Sequence, residues 1–243
     1  MDAFEELMLS GKLNLSDREL RIFEEFVTTR DKLEKENIKH TIVIFGTART
    51  KDNDTNPISR HYYQCNYELS KKLATWVKTK YVSRPPQDKY YICTGGGGGA
   101  MEAANRGASD AGERTLGFNI KLPFEQFTNP YVSQDLIFHF HYFFIRKFFF
   151  ANLAKAFIIF PGGFGTMDEL FEIMTLSQTH KMQKTIPFVL FGKEFFGQFL
   201  NFDMLIEHGY ISPQDKNLYI LTDSVDEAYQ HIINNIEKDK FLI

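Results

Sequence analysis

The feature that most constrains this chain is an alternation of two periodicities. From residue 41 onward, short apolar runs recur with stretches of helical apolar spacing between them. Thr41-Ile-Val-Ile-Phe45, Tyr90-Tyr-Ile-Cys-Thr94, Leu116-Gly-Phe-Asn-Ile120 and Asp135-Leu-Ile-Phe-His-Phe140 read as strands, as do 156–160, 186–191 and 218–221. Runs with so little polar interruption belong to strands covered on both faces. Helical spacing occupies 58–80, 100–111, 144–154, 167–180, 194–208 and 225–237. Such an order predicts an α/β fold, a Rossmann-like doubly wound parallel sheet with helices on both sides. No linker or repeat interrupts 41–240, and 41–243 reads as one domain. Residues 1–40 read as an N-terminal helical extension. Ser16 and Glu19 form a capping-box signature ahead of an amphipathic stretch over 17–36. Ser224 and Glu227 repeat that signature before the last helix.

Charge and cysteine content exclude several classes. Lys and Arg number 28 against 31 Asp and Glu, a net charge of −3, so no basic excess draws the chain to nucleic acid. Cys65 and Cys93 form no CxxC and no disulfide framework, and both read as reduced thiols. The start, MDAFEELMLSGK, carries acids where a signal peptide needs bases. A cytoplasmic protein is the expectation. The Phe-rich segment 138–160 is interrupted by Arg146, Lys147 and Lys155, too early for a membrane span. With 25 Phe in the chain, the apolar surface predicts either a thick core or a subunit interface.

Ligands of open parallel sheets bind at the carboxyl ends of strands, and two glycine-rich turns fall there. The first is Thr94-Gly95-Gly96-Gly97-Gly98-Gly99-Ala100-Met101-Glu102. It contains Gly95-x-Gly97-x-x-Ala100, a dinucleotide-like pattern, but no acid follows about 20 residues on to hold a ribose. A P-loop signature is absent. The second turn is Pro161-Gly162-Gly163-Phe164-Gly165-Thr166-Met167-Asp168-Glu169. Thr166-x-x-Glu169 reads by itself as a capping box, and a plain strand–turn–helix junction would explain it. Three glycines in four positions exceed what such a turn requires. A carboxylate beside an anion-binding helix start makes sense if a phosphate takes the backbone N–H groups and Glu169 faces an adjoining sugar. Arg146-Lys147 lies in an otherwise apolar helix, where a buried Arg needs an anionic partner: Glu169 or a ligand phosphate.

Gly95-Gly-Gly-x-Gly-x-Met101-Glu102-Ala-Ala-Asn105-Arg106-Gly107-Ala108, Arg146-Lys147 and Pro161-Gly-Gly-x-Gly-Thr166-x-x-Glu169 together resemble the Lonely Guy family. Phe45-Gly46-Thr47-Ala48-Arg49, the run from Asn119 to Gln126 and Asn129-Pro-Tyr131 are similar to its longer bacterial branch. In the short cytokinin-activating branch, Met-His-x-Arg-Lys stands where this chain has Phe143-Phe-Ile-Arg146-Lys147. The resemblance implies a catalytic domain over 41–243 that hydrolyses a nucleoside 5′-monophosphate, AMP or an N6-modified AMP, to free base and ribose 5-phosphate. It implies Arg146 and Glu169 as the catalytic pair. It implies a substrate site walled in part by Gly95, Gly96, Gly97, Met101 and Glu102. It implies Lys147, Pro161, Gly162, Gly163, Gly165 and Thr166 as further substrate-binding residues. No cofactor or metal is implied, and a homodimer or larger homo-oligomer is. Glu102 is the candidate for protonating the leaving base. The alternative is a non-catalytic nucleotide-binding or carrier protein on the same fold.

His139 and His141 alternate on one predicted strand without a third metal ligand nearby, which favours packed histidines. Tyr62, Tyr63 and Tyr67 read as amphipathic packing of their helix, and Trp76 as core. The family has also carried a lysine decarboxylase label, but no lysine here has the context of a Schiff-base residue.

Overall fold

The computed structural model describes residues 15–122, 127–182 and 186–238. The acidic start and the 123–126 part of the Asn119–Gln126 run lie outside them. In chain order, α1 (Asp17–Lys35), β1 (His40–Phe45), α2 (Pro57–Lys80), β2 (Tyr90–Thr94), α3 (Ala100–Asp110) and β3 (Thr115–Ile120) are followed by β4 (Ile137–Phe140) and α4 (Phe143–Leu153). Then come β5 (Ala154–Ile159), α5 (Phe164–Gln178), β6 (Phe188–Phe191), α6 (Lys193–Phe199), α7 (Phe202–Glu207), β7 (Ile220–Thr222) and α8 (Val225–Lys238). Among the described residues the strands form one seven-stranded sheet in the order β4-β3-β2-β1-β5-β6-β7, every neighbouring pair parallel. The order reverses between β1 and β5, and this is the switch point at which an open parallel sheet offers a crevice.

Why the strands read as unbroken apolar runs is visible in β1. Val43 and Phe45 point to one face, where Leu33 of α1, Phe149 and Phe150 of α4 and Leu170 of α5 cover them. Ile42 and Ile44 point to the other, beneath Leu69 and Leu73 of α2, Ala104 of α3 and Ile232 of α8. Alternate side chains of a strand face opposite ways, so a sheet covered twice needs apolar residues at every position. Burying each such side chain is worth roughly 1.5–3 kcal/mol.

The phenylalanines divide between two environments. Phe118 packs edge-to-face on Phe138 and Phe140, with ring centroids 5.1 and 5.5 Å away. By contrast Phe143, Phe144, Phe148, Phe164 and Phe171 of α4 and α5 are exposed. The extension's helix α1 carries the predicted Ser16–Glu19 box. Its Phe26 packs at a tilt against Phe148 and Phe149, and Lys32 Nζ donates to the Ile137 carbonyl at 2.6 Å.

Some local expectations shift. The helix expected over 194–208 is two, because the Asn201 side chain caps a new helix by accepting from the Met204 N–H at 3.1 Å. The last strand begins at Ile220, after a 3-10 turn over Pro213–Leu218. At Ser224 only half of the expected box forms. Ser224 Oγ accepts from the Glu227 N–H, while Glu227 Oε2 takes the Thr222 hydroxyl. Cys65 and Cys93 are both free. No described helix is long and apolar enough to cross a membrane.

Candidate active site

Three turns meet at the carboxyl ends of the adjacent strands β2, β1 and β5. The turn after β1 lies between the two glycine-rich ones and ties them together. Thr47 donates its N–H to the Pro161 carbonyl at 3.0 Å and accepts the Ala100 N–H at 2.8 Å. Such close approach depends on Gly99, whose φ is +66° and whose Cα faces the Thr47 carbonyl. A Cβ there would lie 2.3 Å from that oxygen.

Buried side-chain amides hold the first glycine turn. Thr94 Oγ1 accepts the Gly96 N–H at 2.9 Å and donates to Asn105 Oδ1 at 2.7 Å. Asn129 donates its N–H to the Gly96 carbonyl and its Nδ2 to the Gly97 carbonyl and Asn105 Oδ1. Asn105 Nδ2 donates onward to Thr115 Oγ1 and the Leu116 carbonyl. A closed network of this kind rigidifies the loop it surrounds. One turn earlier on α3, the Tyr63 hydroxyl donates to Glu102 Oε1 at 3.0 Å. Burial pushes the Tyr63 phenol up to about 12, so it stays a donor. Tyr63 packs in the α2 core, as expected of it, and also fixes Glu102.

Arg146 and Glu169 come from neighbouring helices. Helix α4 leaves the carboxyl end of β4, so its first turns lie at the same edge of the sheet as the glycines. Arg146 Nη2 donates to Glu169 Oε1 at 2.9 Å, with the two side chains 9% and 12% exposed. Burial raises the Glu169 carboxyl to about 7 against the opposing pull of Arg146. Burial likewise lowers Arg146, with Glu169 opposing. Arg146 Nε is enclosed without a hydrogen-bond acceptor. The Phe143 and Phe150 rings lie 5.2 and 5.7 Å from the guanidinium carbon. A Cβ on Gly95 would stand 3.7 Å from Arg146 Nη1 and 2.8 Å from Met101 Sδ. Gly95, Met101, Arg146 and Glu169 therefore converge.

The second turn departs from the capping box. Helix α5 starts one residue after Gly163, its N-cap, so Thr166 is already in the first turn and its side chain packs on Gly162. A Cβ at Gly162 would lie 2.2 Å from Thr166 Oγ1. Glu169 is thus a full turn too deep to reach back to a cap, and it pairs with Arg146 instead. Gly163 has no side-chain cap bond, and the first intrahelical bond runs from the Met167 N–H to the Gly163 carbonyl. The preceding N–H groups of that turn point out of the helix end, where an anion is favoured.

Lys147 is not turned to the Arg146–Glu169 pair in the same way. It ion-pairs with Glu172 at 2.8 Å and Asp168 at 3.2 Å. Burial opposes its charge, but those carboxylates outweigh burial and raise its pKa, the reverse of what an imine-forming lysine needs. His141 lies beyond the end of β4, 3.2 Å from Glu25, so it and His139 do not share a strand face.

Residue patterns did not assign Thr47, Asn105 and Asn129 to the site. Asn105, a polar residue amid Ala103, Ala104 and Ala108 on a buried helix, was the available signal. Thr47 acts through its backbone, which leaves no trace in residue type.

A parallel sheet with glycine turns at its switch point and a buried Arg–Glu pair beside a bare helix N-terminus defines a Rossmann-like protein. The chain belongs to the Lonely Guy family, whose description "Possible lysine decarboxylase" matches residues 101–232, more than half of its length. A cytokinin riboside 5′-monophosphate phosphoribohydrolase of Oryza sativa subsp. japonica is 30% identical over 136 residues, covering 55% of this chain and 54% of that protein. The protein of that name from Mycobacterium tuberculosis is 34% identical over 83 residues, covering 34% of this chain and 44% of the other. The chain spans about half the length of the curated relatives it matches. The same fold occurs in the molybdenum cofactor binding protein of Rippkaea orientalis (TM-score 0.54, 18% identity, 83% of this chain and 98% of the other). It also occurs in the molybdenum cofactor carrier protein of Chlamydomonas reinhardtii (TM-score 0.52, 21% identity, 82% and 99%).

Proposed function

We propose that this protein hydrolyses the N-glycosidic bond of a nucleoside 5′-monophosphate, AMP or an N6-modified AMP, releasing the base and ribose 5-phosphate. The observation that carries the reading is the buried Arg146–Glu169 contact of 2.9 Å beside the uncapped start of α5. A carrier needs the glycine turns but has no use for a carboxylate next to a phosphate. The 5′-phosphate sits on the N–H groups that follow Gly163, where the helix dipole and free donors favour it. Its ribose then faces Glu169. As the C1′–N bond breaks, positive charge builds on the ribosyl ring, as in other glycoside cleavage. The Glu169 carboxylate opposes that charge and orients a ribose hydroxyl or the attacking water. Arg146 holds Glu169 in place and faces the phosphate. Water adds to C1′ and releases one proton, which makes good the proton that the leaving base takes up from the candidate donor Glu102, fixed by Tyr63.

Chromatographic detection of free base tests this, using purified protein with AMP, GMP, CMP, UMP and an N6-prenylated AMP. Base released from at least one is the expected result. Release from none, with nucleotide still bound, would favour the carrier reading. The two molybdenum cofactor proteins share only the fold at this level of identity, so they do not favour it by themselves.

A further inference from the structure

Helix α4 has no side-chain cap from its own segment. The two residues just ahead of its first turn are instead held from more than 100 positions away, by Glu25. Glu25 of α1 accepts the His141 N–H on Oε2 at 2.7 Å and the Tyr142 N–H on Oε1 at 3.2 Å, and the His141 ring Nδ1 lies 3.2 Å from Oε2. Tyr142 is the N-cap residue of α4, and its carbonyl accepts the backbone N–H of Arg146 at 3.2 Å. One peptide unit on either side of Tyr142 thus separates the Glu25 carboxylate from the residue that carries the guanidinium. Two turns further along α1, Lys32 grips the Ile137 carbonyl at the other end of β4. Strand β4 is thus held at its start by Lys32 and just beyond its end by Glu25, both from one helix.

Docking α1 does not require this arrangement. Phe26 and Leu33 already bury apolar surface against the α4 face, and a carboxylate placed among them carries a desolvation cost that an alanine would avoid. Glu25 is 9% exposed nonetheless. Its return lies in two charge-assisted bonds to a helix start, where negative charge also meets the favourable end of the dipole. Those bonds fix the axial depth of α4, and the position of Arg146 against Gly95 and Glu169 depends on that depth.

We infer that Glu25 is a positioning residue for Arg146, making α1 a working part of the site. The kinetic side of this inference rests on the proposed phosphoribohydrolase activity, whereas its geometric side does not. The full-length chain is therefore studied as wild type, Glu25→Ala and Glu25→Gln, by crystal structure and by base release from the best nucleotide. Glu25→Gln keeps the size and one acceptor oxygen, so it serves if the alanine variant fails to fold. In Glu25→Ala the Arg146–Glu169 contact is expected to lengthen beyond hydrogen-bond reach. Turnover is expected to fall roughly tenfold or more through misplacement alone, with Glu25→Gln intermediate. Arg146 holds the Glu169 carboxyl down against its burial and the nearby Asp168 and Glu172, while Lys147 assists. Its displacement should therefore move the acid limb of the turnover profile to higher pH, a shift that general destabilisation would not produce. An unchanged Arg146–Glu169 contact in Glu25→Ala, with turnover within about twofold of wild type, would overturn the inference. Should the wild type release no base, the activity reading fails by itself, and the contact in the variant still decides the role of Glu25.

Discussion

Arg146 Nη2 lies 2.9 Å from Glu169 Oε1, although 23 positions separate the two residues and different helices carry them. Both helices pack on the same face of the sheet, so the pair is desolvated, and burial dominates its ionisation. The carboxyl of Glu169, raised to about 7, is the group on which the proposed chemistry turns.

Only the ionised carboxylate opposes a ribosyl cation, so turnover is expected to fall as pH drops through about 7. Glu169→Gln should lose roughly 10²-fold or more in turnover, the scale of a preorganised electrostatic contribution, while still binding AMP. It should also lose the acid limb. A pH series of base release with parallel calorimetric binding checks this, and near-normal turnover in the variant would remove Glu169 from its role.

Stability should report the same pair. Removing Arg146 leaves a buried carboxylate without its cation, and Arg146→Met is expected to cost about 3 kcal/mol at pH 8. The folded-state pKa of Glu169 is raised above its ordinary value. Its contribution to stability is therefore fully present below about 4.5 and is lost as pH rises through about 7. The deficit of Arg146→Met should accordingly shrink in acid. Adding Glu169→Gln should recover most of it at pH 8. Urea melts at pH 5.5 and 8 separate these outcomes; an equal deficit at both would contradict a buried charge as the cause.

Two glycines of the turns should respond in opposite ways. Gly99→Ala drives a Cβ to 2.3 Å from a backbone carbonyl at a φ of +66°, and about 3 kcal/mol or more of stability should be lost. At Gly163 an added Cβ meets nothing within 4 Å, so Gly163→Ala should melt within about 1 kcal/mol of wild type. That methyl would nevertheless stand where the phosphate is proposed to approach. Nucleotide affinity is expected to weaken about tenfold, equivalent to about 1.4 kcal/mol. Undiminished affinity would move the phosphate elsewhere.

The exposed rings of α4 and α5 predict self-association. Phe164 is 97% exposed at the first position of α5, and Phe143, Phe144, Phe148 and Phe171 are exposed on the same two helices. Apolar surfaces of that kind mark contacts, and twofold association is the commonest outcome. Light scattering at micromolar concentration should give at least twice the 28.3 kDa of one chain. Phe144→Glu combined with Phe171→Glu should reduce it. A wild-type mass of one chain would refute the assembly.

Much of this molecule is legible in its sequence. Strand and helix periodicities, the Ser16 box and the two glycine turns depend on chemistry within a few residues, and each appears near its expected place. The order of elements then left few topologies, because parallel strands require covering crossovers. Thr166-x-x-Glu169 shows where local reading stops. Those residues are compatible with a cap, but the chain leaving β5 places Gly163 at the helix start, and Glu169 is carried inward to Arg146. Likewise the 25 phenylalanines are one residue type with two environments, and only packing decides that Phe118 is core while Phe164 is surface. Glu25 on the start of α4 and the Thr47 backbone between two glycine turns follow no spacing rule. Periodicity fixes which way a side chain faces on its own element, whereas these contacts depend on where separate elements come to rest against one another.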